Sequence, residues 1–321
     1  MHKTAIHYDC DPGQDDAVAL LYALGSDKID VQSISVVGGN VDVMQCARNA
    51  LQILELADRT DIPVYIGARK PLDRVLHSLP EVFGITGMAG AETWPSPKQY
   101  AIEMRDLSSV VKTSVIAATA PLTNLALQLQ KNPAFAASID HLYIMGGCPY
   151  PEPLRQRMGN YIPPGAFDYA EYNFAVDPEA AKIVFQNGFK AITLIGLNVT
   201  RMVLYNADVD AALRSIRTPV SLGIADILSS VGEDDLQDYG HLRKTSFDPV
   251  RAMHDVVAMA AIDAPELFTF ETVPLRIRTD AQAPGQSPID ADDYDHPGVR
   301  VAISLNIHGF LNRMIKNISA L

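Results

Sequence analysis

Cysteine is scarce, with only Cys10, Cys46 and Cys148 in 321 residues. An odd number without metal-ligand spacing excludes a disulfide framework and a cysteine zinc site. Three small packing residues in a reducing cytoplasm are expected instead. Positive charge is also short: 26 Lys and Arg against 38 Asp and Glu leave a formal charge of −12. That balance argues against a nucleic-acid groove or an anionic membrane surface as partner. No apolar run reaches the roughly 18 residues of a membrane span, and Met1-His2-Lys3-Thr4 offers no signal-peptide core. Low-complexity linkers, composition shifts and internal repeats are missing as well, so one domain over residues 1–321 is expected. What the chain does have is 48% hydrophobic and 20% charged residues, ordinary for a globular protein with a full core.

Short apolar runs alternate with helix-like segments. Strands are expected at 4–9, 30–37, 63–66, 114–118, 140–146 and 191–196, and helices at 16–25, 42–58, 121–131 and 177–187. Runs that are apolar throughout, such as Ser114-Val115-Ile116-Ala117-Ala118, suit a parallel sheet covered on both faces. The alternation predicts an α/β fold: a single-domain, doubly wound, mostly parallel, Rossmann-like sheet with its site at the strand carboxyl ends. Beyond about residue 200 the pattern is more helical. It closes on strands at 270–277 and 298–305 and a helix at 307–319, while 68–99, 148–170 and 279–297 read as loops.

One segment stands out chemically. Tyr8-Asp9-Cys10-Asp11-Pro12-Gly13-Gln14-Asp15-Asp16-Ala17 sets four aspartates around a Pro-Gly turn between the first strand and the first helix. Crowded carboxylates repel one another and are costly to desolvate unless a cation compensates. A hard divalent metal with oxygen ligands is the natural compensation. Helix capping by Asp15 or Asp16 would account for one aspartate and leave the others unexplained. Further polar residues fall at strand ends: Asn40 after Val37-Gly38-Gly39, Thr119 after Ile116-Ala117-Ala118, then Met145-Gly146-Gly147. Glu171 and Asn173 lie two apart, and His254-Asp255 opens an apolar helix, offering a carboxylate for metal and an imidazole for proton transfer. Each has a plain structural alternative. Asn40 suits a turn, Glu171 a solvated surface, Asp177-Pro178 a helix start and His254 a cap or core position.

As an ordered set these residues resemble the inosine–uridine-preferring nucleoside hydrolase family. The resemblance runs through Asp9-Cys10-Asp11-Pro12-Gly13-Gln14-Asp15-Asp16-Ala17, Val37-Gly38-Gly39-Asn40, Pro121-Leu122-Thr123-Asn124-Leu125-Ala126, Met145-Gly146-Gly147, Ala170-Glu171-Tyr172-Asn173 and His254-Asp255, covering residues 4 to 268. It implies calcium-dependent cleavage of the N-glycosidic bond of ribonucleosides by a homodimer or homotetramer. By the same resemblance Asp11, Asp16 and Asp255 are side-chain ligands of Ca2+, with the Thr119 backbone carbonyl as a fourth. Asp11 is also the base that activates the metal-bound water, and His254 assists the departing nucleobase. Asp15, Asn173, Asn40 and Glu171 are expected on the sugar.

Three departures qualify the substrate pocket. Phe83 stands where many relatives carry histidine before Gly-x-x-Gly-Met, so it can stack on a base but cannot donate a proton. A longer segment separates Asn160, expected at the sugar 5′-hydroxyl, from Glu171. Gly240 interrupts the helix whose Tyr239, His241 or Arg243 would contact the base. Two rival functions are a metal-dependent phosphohydrolase and a catalytically silent nucleoside- or calcium-binding homologue. The acidic balance and the neutral-sugar chemistry of Glu171, Asn173 and Asp255 disfavour the first, and the intact acidic set disfavours the second.

Overall fold

The computed structural model describes residues 3–78, 84–153, 155–230 and 251–321. Eleven strands occur among them: β1 Thr4–Cys10, β2 Ile29–Val36, β3 Val64–Ile66, β4 Ile102–Glu103, β5 Val115–Ala118, β6 His141–Met145, β7 Ile192–Ile195, β8 Leu204–Tyr205, β9 Arg251–Ala252, β10 Phe268–Leu275 and β11 His296–Leu305. Nine form one sheet in the order β10-β11-β7-β6-β5-β1-β2-β3-β4, and β8 pairs with β9 alone. All pairings in the large sheet are parallel except β10 with β11. The expected doubly wound, mostly parallel sheet is therefore present, with an antiparallel hairpin on one edge.

Helices cover both faces. On one side Gln14–Gly25, Val43–Leu56, Pro219–Ser229, His254–Asp263 and Ile307–Ile318 bury a large apolar cluster, and on the other Thr123–Lys131 and Pro178–Gln186 bury a second. Helices Gln14–Gly25 and His254–Asp263 pack on each other and are buried almost all round. A helix enclosed in this way needs no polar face, which explains runs such as Ala17-Val18-Ala19-Leu20-Leu21. Inside β1 the buried His7 is accommodated because both ring nitrogens meet hydroxyls of β2, Ser33 at 2.7 Å and Ser35 at 2.8 Å.

Chain direction decides where the site falls. From β1 the sheet grows one way through β2, β3 and β4 and the other way through β5, β6 and β7. Adjacent connections thus diverge at the carboxyl ends of β1 and β5, leaving the crevice in which open α/β sheets bind ligands. The aspartate turn leaves β1 there, and Thr119 leaves β5.

Candidate active site

The first helix begins at Gln14, two residues before the expected start, with Gly13 as its N-cap. Asp16 Oδ2 accepts the Gly13 N–H at 3.0 Å, so this aspartate does cap the helix. Its other oxygen accepts from Thr119 Oγ1 at 2.8 Å and Tyr8 OH at 3.2 Å, tying the turn to β1 and β5. Asp11 Oδ2 accepts the Asn40 N–H at 2.7 Å, while its buried Oδ1 has no hydrogen-bond partner. Asn40 returns its amide to the Asp11 carbonyl at 3.0 Å. This approach is possible because residue 39 is glycine: a Cβ there would lie 2.8 Å from Asp11 Cγ and closer still to Oδ2.

Asp255, 245 residues after Cys10 by number, arrives on the first turn of helix His254–Asp263. Carboxylate oxygens of Asp15, Asp16 and Asp255 all lie within 4.8 Å of one another, and Asp15 hydrogen-bonds Asp255. Asp11, Asp16 and Asp255 are buried. Burial foremost, and then mutual repulsion, raises all three carboxyls; Asp16 reaches about 7, and Asp11 and Asp255 stand well above the usual range. Protein hydrogen bonds alone therefore leave too much negative charge in one place. The unpartnered Asp11 oxygen and the compact acidic trio fit a divalent cation.

The structure brings together most of the residues expected at the site, with some changes in partnership. Asp15, expected on the sugar, belongs to the tightest acidic trio, and Asp11, expected as a ligand, lies outside that trio but beside it. The Thr119 carbonyl accepts the Asn173 amide at 3.1 Å. Glu171 is not a solvated charge. It is buried and caps helix Tyr172–Val176, taking the Asn173 N–H at 2.8 Å on one oxygen and Gly147 N–H at 2.9 Å on the other. Burial still pushes its carboxyl up to about 7. The segment before it does fold back: Tyr161 bridges Ala170, and Asn160 Oδ1 accepts the Tyr172 N–H at 3.0 Å.

Half-buried His254 sits with Nδ1 2.8 Å from Thr200 Oγ1. Burial, helped by the positive charges of Arg201 and Arg251, lowers its pKa to about 3. The ring is therefore neutral near pH 7, able to donate a hydrogen bond but not present as a cationic acid. Phe83, Tyr239, His241 and Arg243 lie outside the described residues.

Several supporting residues escaped the sequence reading. Tyr8 and Asn124 brace the turn from beneath; the Asn124 amide donates to Asp9 Oδ1 at 2.8 Å. Asn49 donates to the Pro12 carbonyl from the side, and Gln14 reaches out of the turn to the Ala89 carbonyl. Polar groups within otherwise apolar surroundings were the available signal, since such groups must find partners.

Buried acids at the switch point of a parallel sheet define an α/β enzyme with a cation-ready acidic centre. Residues 6–312 match the family described as inosine-uridine preferring nucleoside hydrolase. The chain belongs to that family. It is 35% identical over 323 residues to the pyrimidine-specific ribonucleoside hydrolase RihA of Enterobacter sp. (strain 638), covering 97% of this chain and 96% of the relative. RihA of Escherichia coli O7:K1 is 33% identical over 321 residues, with coverage of 97% and 96%. Among solved structures, a plant nucleoside hydrolase, the PpNRh1 enzyme, superposes with a TM-score of 0.82 at 25% identity, covering 99% of each chain. The purine-preferring ribonucleoside hydrolase from Gardnerella vaginalis gives 0.81 at 25% identity over 98% of each chain.

Proposed function

We propose that this protein, acting as one catalytic domain, hydrolyses the N-glycosidic bond of ribonucleosides to free base and ribose. The observation that carries this reading is the convergence of Asp11, Asp15, Asp16 and Asp255 at the sheet's switch point, within a chain that matches the family almost end to end. Likeness to pyrimidine-specific relatives puts pyrimidine ribonucleosides first among substrates.

Asp11, Asp16 and Asp255 side chains, with the Thr119 carbonyl, would hold Ca2+, and Asp15 adds a further oxygen beside them. When bound, the ion would neutralise the acids, anchor sugar hydroxyls and make water more acidic. Asp11 Oδ1, turned to no protein donor, takes the proton of the attacking water. Asp15, Asn173 and Asn40 hold the ribose diol, and Glu171, which accepts three N–H bonds, keeps one of a carboxylate's about four acceptor sites for another hydroxyl. Asn160, held one residue from Glu171 by its bond from the Tyr172 N–H, would serve the sugar 5′-hydroxyl. Negative carboxylates around the ring stabilise the oxocarbenium-like sugar that forms as the base leaves. His254 donates a hydrogen bond to the departing base.

Three free, buried cysteines support a reducing, cytoplasmic setting, and a homodimer or homotetramer belongs to the same reading. Among the described residues no helix is long and apolar enough to cross a membrane. The test is incubation with uridine, inosine and p-nitrophenyl riboside, with and without chelator, followed by assay of reducing sugar. Ribose released from nucleosides and lost on chelation is expected. Phosphate release from ribose phosphates with no ribose from nucleosides would replace this reading with phosphohydrolysis, and activity indifferent to chelation would remove the cation.

A further inference from the structure

Residues Gly84–Trp94 lie within the long connection from β3 to β4 and contain neither helix nor strand. Their backbone carbonyls still need donors where they are covered. Side-chain amides supply them. Asn49 Nδ2 donates to Thr86 O at 2.7 Å and, with the same nitrogen, to Pro12 O of the aspartate turn at 2.8 Å. Gln14 Nε2 donates to Ala89 O at 3.0 Å, and to Ile227 O and Ser230 O, at 3.2 and 3.3 Å, at the end of helix Pro219–Ser229. Gln52 holds Ala91 O and Trp94 O from the face of the helix that also carries Asn49.

Both turn-linked amides are only 1% exposed and each is itself oriented. Gln45 donates to Asn49 Oδ1 at 2.7 Å, and Arg251 Nη1 donates to Gln14 Oε1. Contact is close along the whole seam. Gly90, at φ +93°, leaves no room for a side chain against Asp226 O and Ile227, and Trp94 lies over Gly223. Arg251, which holds Gln14, precedes His254 by three residues and its charge acts on the His254 ring, so the amide seam and His254 share one cation. Asn40 and Thr119 bond the acids from the strand ends, while the loop reaches the aspartate turn at Gly87, whose carbonyl lies 3.5 Å from a Cβ placed on Gly13.

We propose that Asn49 and Gln14 are positioning residues that fix this loop against the aspartate turn and thereby set the discrimination between nucleobases. The inference rests on the nucleoside-hydrolase reading. The turn has its own anchors in Asn40, Tyr8, Thr119 and the Gly13 N–H. Cutting the amide bridges therefore releases the loop and leaves the carboxylates where they are.

Asn49→Leu and Gln14→Met remove the donors at nearly constant volume, and Gln14→Glu removes the donor yet keeps the acceptor facing Arg251. Each variant should lower kcat/KM for uridine and inosine at least about 10-fold and draw the two values together, while p-nitrophenyl riboside turnover stays within about threefold. Limited proteolysis, which needs no substrate, should cut Gly84–Trp94 at least about fivefold faster. If Gln14→Met fails to fold, Gln14→Glu carries the comparison. Equal losses on all three substrates, unchanged base discrimination or an unchanged cleavage rate would overturn the inference while leaving the hydrolase reading intact. Native protein that frees ribose from no nucleoside would end both.

Discussion

Replacing Gly39 by alanine tests the acidic centre without touching an acid. The new Cβ would stand 2.8 Å from Asp11 Cγ, against an ordinary carbon contact of about 3.4 Å, and nearer still to Oδ2. Residue 39 cannot simply back away, because Pro121 Cδ lies 3.1 Å from the same position. The Asp11 carboxylate must therefore retreat by roughly 1 Å, losing its bond from Asn40 N–H; a misplacement of that size costs about 10²-fold in rate. Steady-state hydrolysis of uridine and p-nitrophenyl riboside should both fall by about that factor, since the damage precedes any involvement of the base. Calorimetric titration with calcium should show weaker binding in the same variant. Gly298→Ala is the control: that position sits in β11, one strand in from the sheet edge and remote from the aspartate turn, where a Cβ would meet only Thr272 Cγ2 at 3.4 Å, and it should leave both readouts unchanged. Native kinetics and calcium affinity in Gly39→Ala would show that the placement of Asp11 does not govern turnover, and the reasoning would fail.

Other expectations follow from the same geometry. Asp11→Asn should keep the fold, seen as an unchanged circular dichroism spectrum, and lower turnover at least about 10²-fold because the attacking water loses its base. Asp255→Ala should weaken calcium binding, read as a smaller calcium-induced rise in melting temperature; an equal rise would remove Asp255 from the ligand set. His254→Ala should slow inosine cleavage more than p-nitrophenyl riboside cleavage, since nitrophenolate leaves unaided, and equal losses would deny His254 a role toward the base. His7 should produce a stability gradient. Burial lowers it to about 3 from 6.5, so below pH 6.5 the unfolded chain takes up a proton that the folded chain refuses until about pH 3. Stability should consequently fall as pH drops, by about 1.4 kcal/mol per pH unit attributable to this group. His7→Gln should show a shallower acid slope in urea titrations between pH 6 and 4, and identical slopes would contradict the assignment.

The α/β alternation was legible because enclosed parallel strands are apolar along their length and helices are bounded by Pro, Gly and acidic caps. Strands expected at 114–118, 140–146 and 191–196 appear as Val115–Ala118, His141–Met145 and Ile192–Ile195. Short elements left no such trace. β4 has two residues, β8 and β9 have two each, and helices Leu107–Val110 and Leu197–Thr200 have four. Segments that short contain about one period, too little for a pattern to repeat, so tertiary contacts decide their form. Gly13 shows how one contact moves a boundary. The Asp16 carboxylate satisfies its N–H, which draws Gln14 and Asp15 into the first turn and brings the helix start two residues forward.

At the site, the identities of the acids were readable because four carboxylates in eight positions conflict with one another in any isolated chain. Which oxygen faces which partner was not, because that depends on groups far away in sequence. Glu171 illustrates the difference. Its charge and its neighbours favour solvent, yet Gly147, 24 residues earlier, supplies one N–H and the start of its own helix supplies two more, so the carboxylate is buried. Gln14 makes the same point over 75 residues to Ala89 and 213 to Ile227. Neutral amides cause no such repulsion, so apolar surroundings mark them as needing partners without saying which. A charged centre is therefore announced by its own repulsion, whereas the amides that hold its surroundings in register come into view only when the chain has folded around them.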